Sequence, residues 1–127
     1  MLKNFVEEDA TLCGTPNYLA PETLKGKRFG PQCDLWSLGC VLYCMLVGSP
    51  PFESGDVEST IKRIKKSTFT IPSYLSPEAQ SLISQLLTGN PKHRITIDEV
   101  LTHPFLKRYN QDLLESSILL TSSSNLY

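Results

Sequence analysis

Net charge is nearly absent from this chain of 127 residues, whose 12 basic and 13 acidic side chains leave a formal −1 at neutral pH. That balance removes the electrostatic reason to expect nucleic acid or an anionic membrane surface as the main partner. Metal-ligand spacing is missing too. The four cysteines form no Cys-x-x-Cys pair and the two histidines no paired motif, so neither a zinc site nor a disulfide framework is signalled. No apolar run approaches the ~20 residues that a bilayer span needs. The first residues hold Lys3, Glu7, Glu8 and Asp9 where a signal peptide would carry an apolar core, which predicts a reducing cytoplasmic or nuclear setting. There is no internal repeat and no strand pattern strong enough to build a sheet. What is left is room for one domain with a modest core.

What the chain does have is one long greasy stretch, Asp34 to Val47. After Asp34 it carries no charge, and its least apolar members, Ser37 and Gly39, are small. A helix that is apolar all round is normally buried in a core, so the stretch predicts a central helix with the rest of the chain packed around it. Asp34 is the predicted N-cap, accepting a backbone N–H. Gly48, followed by Pro50 and Pro51, is the predicted stop. Cys40 and Cys44 lie one turn apart and read as small core hydrophobes in preference to a two-thiolate metal site. Trp36 and Tyr43 read as core packing.

The remaining chain sorts by periodicity and punctuation. Residues 1–10 read as acidic loop. Gly14, Pro16 and Pro21 make 11–22 an extended or turning loop with a short helix at its end, and Lys25-Gly26-Lys27-Arg28 is a basic, exposed connection. Val57, Ile61 and Ile64 predict a helix over Asp56 to Lys66, with Lys62, Arg63, Lys65 and Lys66 on a solvated face in preference to a localisation or nucleic-acid patch. Thr68 to Ile71 is short extended chain stopped by Pro72. Ser76-Pro77-Glu78 opens a helix whose buried stripe is Ala79, Leu82, Ile83, Leu86 and Leu87, closed by Gly89-Asn90-Pro91. Thr96 to Glu99 fits a capping box at the head of a short helix ended by Pro104, with Phe105 and Leu106 packing back. Beyond Arg108 the chain turns Ser-rich and is predicted mobile. The fold class is mainly α.

The order of landmarks says more. Ala20-Pro21-Glu22, Asp34-Leu35-Trp36-Ser37-Leu38-Gly39, Pro50-Pro51-Phe52, Arg94 and His103-Pro104-Phe105 together resemble the second half of a eukaryotic protein kinase domain. The stretches Thr11-Leu-Cys-Gly-Thr-Pro-Asn-Tyr and Leu46-Val47-Gly48-Ser49-Pro50-Pro51-Phe52-Glu53 resemble the polo-like serine/threonine kinases. Asn90-Pro91-Lys92-His93-Arg94-Ile95 and Val100-Leu101-Thr102-His103-Pro104-Phe105 lean to the Sak-type branch, linked to centriole duplication. The resemblance covers Thr11 to about Leu106. It implies a partial kinase-like fold, the helical C-lobe without N-lobe, catalytic loop or Asp-Phe-Gly segment. Residues 1–22 would be part of the activation segment and substrate-binding loop, 23–106 the helical remainder of the C-lobe, and 107–127 a mobile tail.

The same resemblance assigns residues. Thr11 matches the activation-loop phosphosite, whose phosphate would pair with an Arg of the catalytic loop; its acid-x-Thr-apolar context makes it a target for an upstream kinase, with an ordinary loop threonine as the alternative. Gly14, Thr15, Pro16 and Tyr18 match the loop that holds the substrate residue after the phosphoacceptor. Thr15 would bond the catalytic Asp and Lys, or else serve as a turn former. Cys44 stands where Arg-directed kinases often carry Glu, which argues against selection for basic residues upstream of the target. Glu22 and Arg94 match a buried ion pair, and Asp34 and Trp36 are structural. A complete parent would use ATP and Mg to phosphorylate protein Ser or Thr. This sequence contains no Gly-rich loop, Val-Ala-x-Lys, His-Arg-Asp or Asp-Phe-Gly, and His93-Arg94 is followed by Ile95 where the acid should stand. The chain alone is therefore expected to be a truncated, inactive kinase with no cofactor, metal or catalytic residue of its own. Its expected partners are protein substrates or regulators, not nucleic acid or membrane, and its expected location is centrosomal if the branch holds. The alternative is a non-catalytic binding module using the groove beside Thr15 and the helix bearing Ile61 and Ile64.

Overall fold

The computed structural model describes residues 17–26 and 30–108. Five helices follow in order: α1 (Pro21–Leu24), α2 (Pro31–Val47), α3 (Val57–Lys66), α4 (Pro77–Leu86) and α5 (Ile97–Leu101). The chain is helical again over 104–108, and no strand occurs among the described residues. The architecture is therefore the mainly α one that the periodicity predicts.

Helix starts follow local chemistry. Ser76 accepts from the Ala79 N–H at 3.1 Å with Pro77 in the first turn of α4. Asp56 accepts from the Ser59 N–H at 2.7 Å and so caps α3 from just outside it. Thr96 and Glu99 close a reciprocal capping box on α5, each side chain satisfying one orphan donor. The predicted cap of α2 is corrected. Its N-cap is Gly30, no side chain caps it, and Pro31 occupies the first helical position. A proline there has no N–H to satisfy and a φ already set for a helix, so the helix begins a turn before Asp34 without a capping carboxylate. Asp34 is exposed in the first turn. Gly48 ends α2 as predicted, its N–H bonded to the Cys44 carbonyl at 2.8 Å.

Helix α2 packs against α4, and α1 against α3. Gly39 makes the first packing possible. A Cβ there would lie 2.7 Å from Leu86 Cβ and 2.9 Å from Leu87 Cδ2, so the two backbones approach closely only because the side chain is missing. One core cluster gathers Trp36, Cys40, Tyr43, Phe52, Ile64, Ala79 and Ile83. A second gathers Leu35, Leu82, Leu86, Ile95 and Val100. Trp36 and Phe52 stack with centroids 5.3 Å apart, and Phe69 meets both Phe52 and Tyr43 edge-on. Phe105 and Leu106 pack back onto this core, as predicted.

The expectation that α2 is buried all round is also corrected. Leu38, Val41, Leu46 and Met45 are exposed, Met45 by 77 %. Leu38, Val41 and Met45 recur at helical spacing, so they form one stripe opposite Trp36, Cys40 and Tyr43. An all-apolar run carries no periodic signal that tells its covered face from its open one.

Candidate functional site

The centre of the site is Arg94, buried on the turn between α4 and α5. All five of its N–H groups are used, which is the full capacity of a guanidinium. Nη1 donates to Glu22 Oε2 at 2.7 Å and to the Gln32 carbonyl at 2.6 Å. Nη2 donates to Glu22 Oε1 at 3.0 Å and to the Gly89 carbonyl at 3.2 Å. Nε donates to the Thr88 carbonyl at 2.9 Å. The face of the guanidinium lies over the Trp36 ring, its carbon 5.0 Å from the ring centroid. One side chain thus ties α1, the head of α2 and the end of α4 together, with a fork–fork pair to a carboxylate that no lysine could reproduce.

Glu22 sits at the second position of α1, where Pro21 needs no partner and an acid favours the positive end of the helix. Burial alone pushes its carboxyl up. Hydrogen bonds from Arg94 and from its own backbone N–H, with the guanidinium charge, outweigh that and hold it below its ordinary 4.5. Cys33 donates its thiol to Glu22 Oε2 at 3.4 Å and lies 3.3 Å from Thr23 Oγ1. Burial is the main reason its thiol is pushed up, and the Glu22 carboxylate adds to it. The Trp36 indole N–H is buried with no hydrogen-bond partner among the described residues, so the ring is held by stacking and by the cation above it.

A second set of contacts fastens the loop before α1 to α2. Ser37 Oγ donates to the Tyr18 carbonyl at 2.9 Å, and also lies 3.2 Å from the Cys33 carbonyl one turn back. The neighbouring Cys44 thiol is the largest cause that raises the Tyr18 hydroxyl above its ordinary value, with burial and the Glu53 carboxylate adding to it. Tyr18 therefore lies along α2 between Ser37 and Cys44, with its ring partly exposed.

Of the residues singled out from the sequence, Glu22, Arg94 and Trp36 come together in one contact set. Tyr18, in the loop before α1, is fastened to α2 through Ser37, and Asp34 is exposed at the helix head. Thr11, Gly14, Thr15 and Pro16 lie outside the described residues. Ser37, Cys33 and Gln32 were not singled out. Ser37 had a legible signal, because a serine in an otherwise greasy helix wants a backbone partner; the Gln32 contribution is a carbonyl and has none. No group of three or more His, Cys, Asp or Glu side chains that could hold a metal occurs among the described residues, and no helix there is long and apolar enough to cross a membrane.

The family model of the protein kinase domain matches residues 2–106. Serine/threonine-protein kinase PLK4 of Drosophila persimilis is 52% identical over 107 residues, which is 84% of this chain and 14% of that protein. The enzyme of the same name from Aedes aegypti is 50% identical over 102 residues, 80% of this chain and 13% of that protein. The chain thus spans about a seventh of the length of these relatives, and its half-identity to them agrees with the polo-like, Sak-type order of its motifs. On that extent of agreement with the domain and with these enzymes, the chain belongs to the protein kinase family.

Proposed function

We propose that these residues are the substrate-holding, helical part of the large lobe of a polo-like serine/threonine kinase, with 1–22 contributing activation segment and substrate loop, 23–106 the helical scaffold, and 107–127 a tail. In the complete enzyme the reaction is transfer of the ATP γ-phosphate, with Mg, to a Ser or Thr hydroxyl of a protein. ATP and Mg supply the phosphoryl group and its charge neutralisation. No step of transfer is assigned to the described residues.

Their part is positional. Phosphoryl transfer depends on holding the acceptor in line, and a loop that carries a peptide must itself be held. The observation that carries the reading is the double fastening of that loop: Glu22 locked by Arg94 at one end, and the Tyr18 carbonyl held by Ser37 at the other. Thr11, Gly14, Thr15 and Pro16 immediately precede this fastened segment and are the proposed phosphosite and substrate contacts. An upstream kinase acting on Thr11 and a centrosomal location belong to the same proposal for the complete protein. The reading as an independent binding module is not favoured, because the resemblance to kinases runs through almost the whole chain.

A chimera tests this. Residues 2–106 replace the matching stretch in the complete Drosophila persimilis enzyme, and transfer of labelled phosphate to a protein substrate is measured. Activity is expected in the chimera and none in the 127-residue chain. Ser37→Ala in the chimera should raise KM for the peptide substrate with little change in KM for ATP. A folded but inactive chimera, or labelling by the isolated chain, overturns the proposal.

A further inference from the structure

A cavity of about 460 Å³ opens beside the Glu22–Arg94 pair, between α1, the last turn of α3 and the turn after α4; Glu22, Lys25, Lys65, Gly89 and Asn90 line it. We propose that this cavity binds a phosphate monoester carried on a peptide, as phosphoserine or phosphothreonine.

The case rests on which polar groups remain uncommitted in its wall. The acceptors are spent inward. Both Glu22 oxygens take bonds from Arg94, and the Gly89 carbonyl takes another. Asn90 Oδ1 accepts the Lys92 N–H at 3.0 Å, and the Asn90 carbonyl accepts from His93 and Arg94. What stays available is a set of donors: the ammonium groups of Lys25 and Lys65 and the amide NH2 of Asn90. Both lysines are exposed, and neither forms an ion pair, the single one among the described residues being that of Glu22 with Arg94. Since that pair neutralises its own charges, two positive charges at the cavity are uncompensated among the described residues.

The wall is also held in place. Gly89 packs so closely on Ser67, at the end of α3, that a Cβ on Gly89 would collide with the Ser67 hydroxyl. This contact sets the turn that carries Asn90 against the basic last turn of α3, where Lys65 lies. Arg94 fixes the same turn from behind.

The chemistry selects the ligand. A phosphate monoester brings a charge of about −1.5 to −2 and three acceptor oxygens, which match two ammonium groups and an amide. A carboxylate brings half that charge. A nucleic acid backbone carries one charge per phosphate along a line and needs a stripe of cations, not two at a single cavity. The volume falls within the ~300–1,000 Å³ usual for ligand pockets, enough for a phosphorylated side chain and part of its flanks.

The test uses the whole 127-residue chain at low salt. Amide chemical shifts are followed on adding a phosphoserine peptide, its unphosphorylated form, inorganic phosphate, and a single-stranded oligonucleotide. Saturable shifts at Lys25, Gly89 and Asn90 are expected with the phosphopeptide, weaker ones at the same amides with phosphate, and none with the unphosphorylated peptide. Both ammonium groups would donate charge-assisted bonds to the phosphate, so K25A/K65A should weaken binding by about tenfold or more, while K25R/K65R and K62A retain it. Equal binding of the unphosphorylated peptide overturns the proposal, as does an equal loss in K62A. So do shifts that map away from the cavity on the unaltered chain, and preference for the oligonucleotide would mark a diffuse polyanion surface instead.

Discussion

Replacing Arg94 by Ala is the sharpest probe of the fold. The side chain is buried, its five donors are all engaged, and its removal leaves the Glu22 carboxylate buried with only the Cys33 thiol as a side-chain donor. Breaking a buried pair by deleting one partner costs about 3–5 kcal/mol, because the surviving charge is uncompensated. Against a total of about 5–15 kcal/mol for a domain, that is a large share, and at about 4 °C per kcal/mol it lowers Tm by about 12 °C or more. The pH dependence distinguishes this account from a simple loss of packing. In the intact chain the Glu22 value lies below its unfolded one, so its stabilisation is complete above about pH 4.5 and is lost as pH falls through the folded value. In R94A only burial acts strongly on the carboxyl, its folded value rises above the unfolded one, and acid favours the folded form. The stability gap between the two proteins should therefore narrow as pH falls from 7 to 4. Urea unfolding followed by circular dichroism at several pH values measures it. An unchanged Tm, or a gap that is constant with pH, would refute the reasoning.

Three further outcomes follow from single contacts. Gly39→Ala should destabilise, since overpacking against Leu86 and Leu87 costs about 1–3 kcal/mol and outweighs the ~1 kcal/mol gained in helix propensity; a higher Tm in this variant would mean that the helices slide apart freely. Thr96→Ala removes the capping box of α5 and should cost about 1 kcal/mol, read as a shift of the urea midpoint with unchanged slope. Burial pushes the Cys40 thiol up to about 12, so at pH 8 it should resist iodoacetamide until the chain unfolds, as peptide mass mapping would show. Because that folded value lies above the unfolded one, its contribution to stability is complete below about pH 9 and is lost as pH rises toward 12.

The helix caps were legible because their chemistry is local. Ser76 and Thr96 each find a partner within three residues, and the stripe of α4 is periodic enough to assign every buried position; Asp56, read as the first helical residue, caps α3 from outside it. The start of α2 was misread because Asp34 has the chemistry of a cap, while Gly30-Pro31 needs no side chain to do the same work. The pairing of Glu22 with Arg94 came from family resemblance alone. Seventy-two residues separate them, and no short-range pattern reports such a contact. The remaining bonds of Arg94 go to carbonyls, which every residue carries and no sequence distinguishes.

The exposed stripe of Leu38, Val41 and Met45 makes the stability of this chain a property of its surroundings. Fully burying a Leu, Val or Met side chain is worth about 1.5–3 kcal/mol, and these three are 43%, 41% and 77% exposed. Anything that covers them and binds only the folded form raises the melting temperature by mass action. Where the cover is another molecule of the same chain, Tm should climb with protein concentration, and Met45→Lys should flatten that climb while leaving the dilute-limit Tm nearly unchanged. The melting point then works as a gauge: it reports how much of this one helix face has found a neighbour.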